Sequence, residues 1–206
     1  MATTHATPEG TERYRKRSTG KLDPGHFRSA LGLWFSSIGC GTYLGEPDEK
    51  TDRLYLEAIL SAVASGVNVI DTAINYRCQR SERVIGQALK ELPAKGIGRE
   101  ELILSTKGGF IPFDGGFPEN PSVYFEETFA KPGVATFDDV VADCHCMTPA
   151  YLEHQLETSL KNLGLPCVDI FFIHNPETQL QEIPRAEFNR RMEAAFAFLE
   201  EKILLD

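Results

Sequence analysis

From Ser36 to Lys202 the chain alternates two patterns, and no other feature limits its fold as strongly. Apolar runs of strand length occur at 36–42, 67–71, 102–107 and 168–173. After each comes a stretch with apolar residues at helical spacing. These stretches carry Leu56, Ile59, Leu60 and Val63, then Val84, Ile85, Ala88 and Leu89, then Leu152, Leu156, Leu160 and Leu163, and last Phe188, Met192, Ala195, Phe196 and Leu199. Their ends are marked. Asp48 or Thr51 can cap the first helix and Gly66 closes it; Ser81 is placed to cap the second, which Pro93 and the Gly96–Gly98 turn end; Thr148-Pro149 opens the third and Gly164 closes it. Strands joined by helical crossovers pair in parallel, so the chain is read as α/β. In such folds the C-terminal ends of the strands share one face, where sites assemble.

The residues delivered to that face are Thr42 and Tyr43 from the first strand, Asp71 with Tyr76 from the second, Lys107 from the third, and His174 with Asn175 from the fourth. An acid, a phenol, an amine and an imidazole therefore converge. Each has an ordinary structural explanation taken singly, as a capping carboxylate or a satisfied core histidine. Their arrival at successive strand ends argues for chemistry. A phenol is a poor acid at neutral pH, and a neighbouring ammonium favours its ionised form. Lys107 can play that part for Tyr76, with Asp71 as counter-charge to the lysine. A histidine can donate a hydrogen bond to a substrate oxygen and orient it. The set suits proton delivery to a carbonyl oxygen. It holds no serine, cysteine or metal nucleophile, so the electron pair points to a hydride cofactor.

Residues 110–147 interrupt the alternation. Prolines and glycines there are interleaved with Phe113, Phe117, Tyr124, Phe125, Phe129 and Phe137, which predicts an ordered loop folded over the site rather than a linker. Cys144-His145-Cys146 within it is too tightly spaced for a structural zinc pair, and no second pair stands elsewhere, so no metal site is expected.

With 206 residues the chain has the length of one domain, or of two small ones. A net charge of −9 argues against a nucleic-acid-binding surface. The five cysteines are odd in number and irregularly spaced, with no secretory segment before them, so they are read as reduced thiols of a cytoplasmic protein. No apolar run reaches the ~20 residues of a membrane span. Residues 1–25 are polar and read as a mobile or surface-lying extension; Glu9 and Glu12 argue against a transit peptide. Residues 26–206 are read as the domain proper, in which Phe27 to Phe35 forms a hairpin turning near Gly32.

Five segments together resemble the aldo-keto reductase family: Ile38-Gly39-Cys40-Gly41-Thr42-Tyr43-Leu44-Gly45, Asn68 to Tyr76, Ser81-Glu82-Arg83-Val84-Ile85-Gly86, Ser105-Thr106-Lys107, and Asp169 to His174. The resemblance implies a (β/α)8 barrel plugged at its bottom by the N-terminal hairpin, and NADP(H)-dependent reduction of a carbonyl substrate. Carried onto these residues, it makes Tyr76 the general acid, with Lys107 and Asp71 tuning it and His174 orienting the carbonyl. Thr42, Tyr43 and Asp71 would approach the nicotinamide and its ribose, and Asn175 the carboxamide. A full barrel has eight strands in ~250 residues, whereas the alternation here supplies the first half: four βα units and the hairpin. The expectation is a truncated reductase whose cofactor phosphate sites lie in the missing half, which binds NADPH weakly and whose open barrel edges invite self-association. Two rival readings are a regulatory, non-enzymatic reductase-like fragment and a different barrel enzyme, hydrolytic or using Lys107 as a Schiff base.

Overall fold

The computed structural model describes residues 4–18 and 20–203. Residues 204–206 lie outside the described residues, as do 1–3 and 19 of the polar N-terminal segment. The expected parallel sheet is present. Its four strands, β3 (Gly39–Gly41), β4 (Val69–Asp71), β5 (Ile103–Gly108) and β6 (Ile170–Ile173), lie in sequence order. The register pairs Gly41 with Asp71, Asp71 with Ser105, and Lys107 with Phe172, so the candidate residues arrive at one level. β3 and β6 are the two edges among the described residues.

The helices follow their caps. Asp48 accepts from the Thr51 amide at 2.7 Å and starts α2 (Glu49–Ala64). α3 spans Arg80–Glu91, α5 Pro149–Leu163 and α6 Arg185–Ile203. Gly164, in the left-handed region at φ 68°, closes α5 as expected. One cap is different. Ser81 does not cap α3: Gln79 precedes the helix at φ 68°, and the Ser81 hydroxyl instead donates to the Thr42 carbonyl at 2.7 Å. That bond ties the helix to the end of β3. Ile59, Val63, Ile70, Val84, Ile85, Leu102 and Leu104 form the core between sheet and helices.

The hairpin is β1 (Phe27–Ala30) against β2 (Leu33–Ser36), turning through Leu31 and Gly32, both at positive φ (51° and 77°). It docks at the start of β4 through Asn68. That side chain accepts from the Ser36 amide at 2.8 Å and donates to the Trp34 carbonyl at 2.8 Å. The polar extension departs from expectation, because it contains α1 (Pro8–Arg17). Thr7 caps α1, Pro8 fills its first turn, and Arg15, Lys16 and Arg17 face its C-terminal dipole. α1 buries Tyr14, whose hydroxyl is shared between the Val63 carbonyl in the last turn of α2 and the Val67 carbonyl just beyond it. Ahead of α1, the Ala6 amide donates to Asp169 at 2.6 Å.

The 110–147 insertion holds a short helix and a small apolar cluster. α4 (Pro121–Phe125) runs into a wide turn at Glu126–Ala130, and Phe125 and Phe129 pack with Ala135, Cys146 and Tyr151 into a core of their own.

Candidate active site

Each candidate residue sits where a strand stops. Asp71 ends β4, and its carboxylate accepts from Ser105 Oγ through Oδ1 at 2.6 Å and from Lys107 Nζ through Oδ2 at 2.6 Å. Lys107 has three protons to place. One goes to Asp71, one to the Thr72 carbonyl at 2.7 Å, and the third faces the Tyr76 hydroxyl at 3.5 Å. The last contact is long, as such bonds often are before substrate arrives. The ammonium also lies 5.0 Å from the centre of the Tyr76 ring. Only 16% of the Lys107 side chain is exposed, so water competes weakly for it.

Tyr76 is aimed by the backbone after it. Arg77, Cys78 and Gln79 all take positive φ (49°, 55° and 68°), a left-handed turn that L residues avoid. The turn is held by the buried Arg77 guanidinium, which bonds Asp52 at 2.5 Å and the Glu46 carbonyl at 2.9 Å. Gly115 N donates to the Cys78 carbonyl at 2.9 Å, which brings the insertion against the same turn. Tyr43 and His174 flank the Tyr76 ring edge-on, with centroids 4.9 and 5.6 Å away.

His174 is nearly buried, and its Nδ1 has no partner among the described residues. Burial, and next the Lys107 charge, push its pKa down to about 4. The ring is therefore neutral at physiological pH, with one nitrogen carrying a proton it can donate. Phe110 covers its other side at 4.9 Å. Asn175 follows at φ 44°, exposed at the mouth of the site.

Asp71, Tyr76, Lys107 and His174 are thus brought together. Tyr43 stands exposed beside them. Thr42 differs: it is buried, and its hydroxyl turns inward, 2.8 Å from Thr72 Oγ1. Sequence reasoning missed Ser105 and Thr72, whose contacts with Asp71 and Lys107 follow from strand register. It also missed Gln179 and the role of His145, a fully buried histidine whose Nε2 lies 2.7 Å from the His174 carbonyl. No sequence signal marks either, because they meet across the fold.

Two curated relatives illustrate the similarity. The NADH-specific methylglyoxal reductase of Escherichia coli is 30% identical over 161 residues, covering 78% of this chain and 41% of that protein. Aldo-keto reductase family 1 member C13 of Mus musculus is 29% identical over 162 residues, covering 78% and 36%. The chain thus spans about two-fifths of the length of the curated relatives it matches. Among solved structures, an aldo-keto reductase from Klebsiella pneumoniae crystallised with NADPH is 18% identical at a TM-score of 0.48, covering 78% of this chain and 44% of that one. The sequence matches the aldo/keto reductase family from residue 37 to residue 204, and the chain belongs to that family.

Proposed function

We propose that this chain carries the proton-delivering centre of an NADP(H)-dependent carbonyl reductase, built on the first half of a (β/α)8 barrel. The observation that carries the reading is the placement of Lys107 Nζ, 2.6 Å from Asp71 and 3.5 Å from the Tyr76 hydroxyl. In this reading Tyr76 O–H donates to the substrate carbonyl oxygen as negative charge builds there. Lys107 stabilises the phenolate left behind, and Asp71 holds the ammonium charged and in place. Neutral His174 gives the same oxygen a second hydrogen bond and fixes its direction. The pairing of Lys107 with Asp71 opposes the Schiff-base alternative, which needs an unpaired amine.

The residues present fit the nicotinamide end of the cofactor. Asp71 is half-exposed with lone pairs to spare for ribose hydroxyls, Asn175 offers an amide, and His174 Nδ1 is an orphaned polar atom beside them. NADPH, when bound, supplies the hydride. The phosphate end is less well served among the described residues of these strand ends. Lys107 is committed to Asp71 and Arg77 to Asp52, so neither cation is free. In this reading the chain binds NADPH weakly.

Cofactor oxidation with a panel of aldehydes tests this, with Tyr76→Phe as control. Wild type is expected to turn over, and Tyr76→Phe to lose on the order of 100-fold in rate with NADPH fluorescence quenching unchanged. Equal inactivity of the two would sink the catalytic reading and favour a regulatory, reductase-like role. Micromolar NADPH binding would overturn the weak-binding part.

A further inference from the structure

The His174 main chain is held by a buried polar chain that the quartet does not include. β6 ends as the His174 amide donates to the Gly108 carbonyl at 2.6 Å. Asn175 then takes φ 44°, ψ 57° and leaves the sheet, so the His174 carbonyl loses its place in the ladder. A buried carbonyl without a partner is costly. This one meets His145 Nε2 at 2.7 Å. Gly109 permits the approach: a Cβ there would stand 2.7 Å from His145 Nε2 and 3.1 Å from the His174 oxygen.

The proton arrangement follows from the neighbours. Arg191 Nη1 lies 2.7 Å from Gln179 Oε1, and a guanidinium can only donate, which fixes which end of the amide faces it. Gln179 Nε2 is thereby turned to the imidazole, 3.0 Å from His145 Nδ1 and 3.0 Å from the His145 carbonyl. An amide NH2 cannot accept, so Nδ1 must, and the single proton of a neutral ring sits on Nε2. Both His145 and Gln179 are fully buried, so water does not share these bonds. His145 itself is seated by bridges to Phe110 and Val141 within the insertion.

Resting on the reductase reading above, we propose that His145 is a positioning residue: Arg191 and Gln179 seat its ring, and its Nε2 proton clamps the His174 carbonyl so that the His174 ring stays between Tyr76 and Phe110. The 110–147 insertion then takes part in carbonyl orientation through His145. His145 does not touch the reacting atoms.

Nitrogen NMR of the histidine rings in the full chain tests the clamp without cofactor or turnover. Wild type is expected to show His145 as a single Nε2–H tautomer. Arg191→Met, which frees Gln179 Oε1, should leave the proton on Nε2, because the His174 and His145 carbonyls accept only. His145→Phe should move the His174 ring signals and lower kcat about tenfold, the worth of one hydrogen bond, with KM changed far less. His145→Gln, which keeps an N–H donor, should restore most of both. A wild-type proton on Nδ1, or unmoved His174 signals in folded His145→Phe, overturns the proposal. Should His145→Phe fail to fold, a proton on His145 Nδ1 in folded Arg191→Met overturns it as well. Wild type without any NADPH-dependent turnover would instead count against the reductase reading, and the ring signals would still decide the clamp.

Discussion

Asp169→Asn removes one charge and almost no volume, and it should be among the most destabilising substitutions in the chain. The Asp169 carboxylate precedes β6 and faces donors only: the Ala6 amide at 2.6 Å, the Leu104 amide at 2.7 Å and Arg99 Nη2 at 2.7 Å. Asparagine offers one acceptor oxygen and an NH2 group that must point at a donor. One bond becomes a repulsion and the others lose their charge assistance, which takes a bond worth ~1.5–3 kcal/mol down to about 1 kcal/mol. The pair is buried, with side-chain exposures of 6% for Asp169 and 11% for Arg99, so screening offers little relief. Stranding the guanidinium brings the total to about 3–5 kcal/mol. A domain holds only ~5–15 kcal/mol in all. With a urea slope of ~2 kcal/mol/M, the unfolding midpoint should fall by about 2 M. Circular dichroism reads the global transition, and proteolysis reads release of the segment before α1. A midpoint shift below about 0.5 M in a two-state transition would refute the reasoning. So would additive effects in the double mutant with Arg99→Met, where the shared pair requires coupling.

Two titrations follow. Glu82 is fully buried, and burial raises its pKa against the opposing bonds from Asn162 and Thr106. A carboxyl raised in the folded state stabilises the fold below the unfolded value, ~4.3, and that contribution is lost as pH climbs through the raised one. Thermal melts of wild type should therefore fall across that window relative to Glu82→Gln, and parallel curves would contradict the assignment. His174 carries the opposite sign. Its folded pKa of about 4 lies below the unfolded ~6.5, so stability drops as pH falls between them. An NMR titration placing His174 near its free value would disprove the burial argument.

The sheet, three crossovers and the quartet were legible in the sequence because local signals and period agree there. Asp48, Gly164 and the apolar runs each state their role within a few residues. What was not legible depends on partners far along the chain. α1 is too polar to announce itself by periodicity, and its anchor Tyr14 finds the end of α2 only after folding. Ser81 has the composition of a cap, yet the left-handed turn through Gln79 moves the helix start ahead of it and turns its hydroxyl toward Thr42. Cys144-His145-Cys146 raised a question about metal. The answer for His145 lies in Gln179 and His174, 34 and 29 residues on.

The bond from Ala6 to Asp169 spans 163 positions. Closing so long a loop is entropically expensive until the intervening strands have already drawn its ends together. Its acceptor stands at the head of β6, so the segment before α1 cannot dock until β6 is in place. Docking of α1 and the segment before it then belongs to the late side of the folding barrier, and changes there should quicken unfolding more than they slow folding.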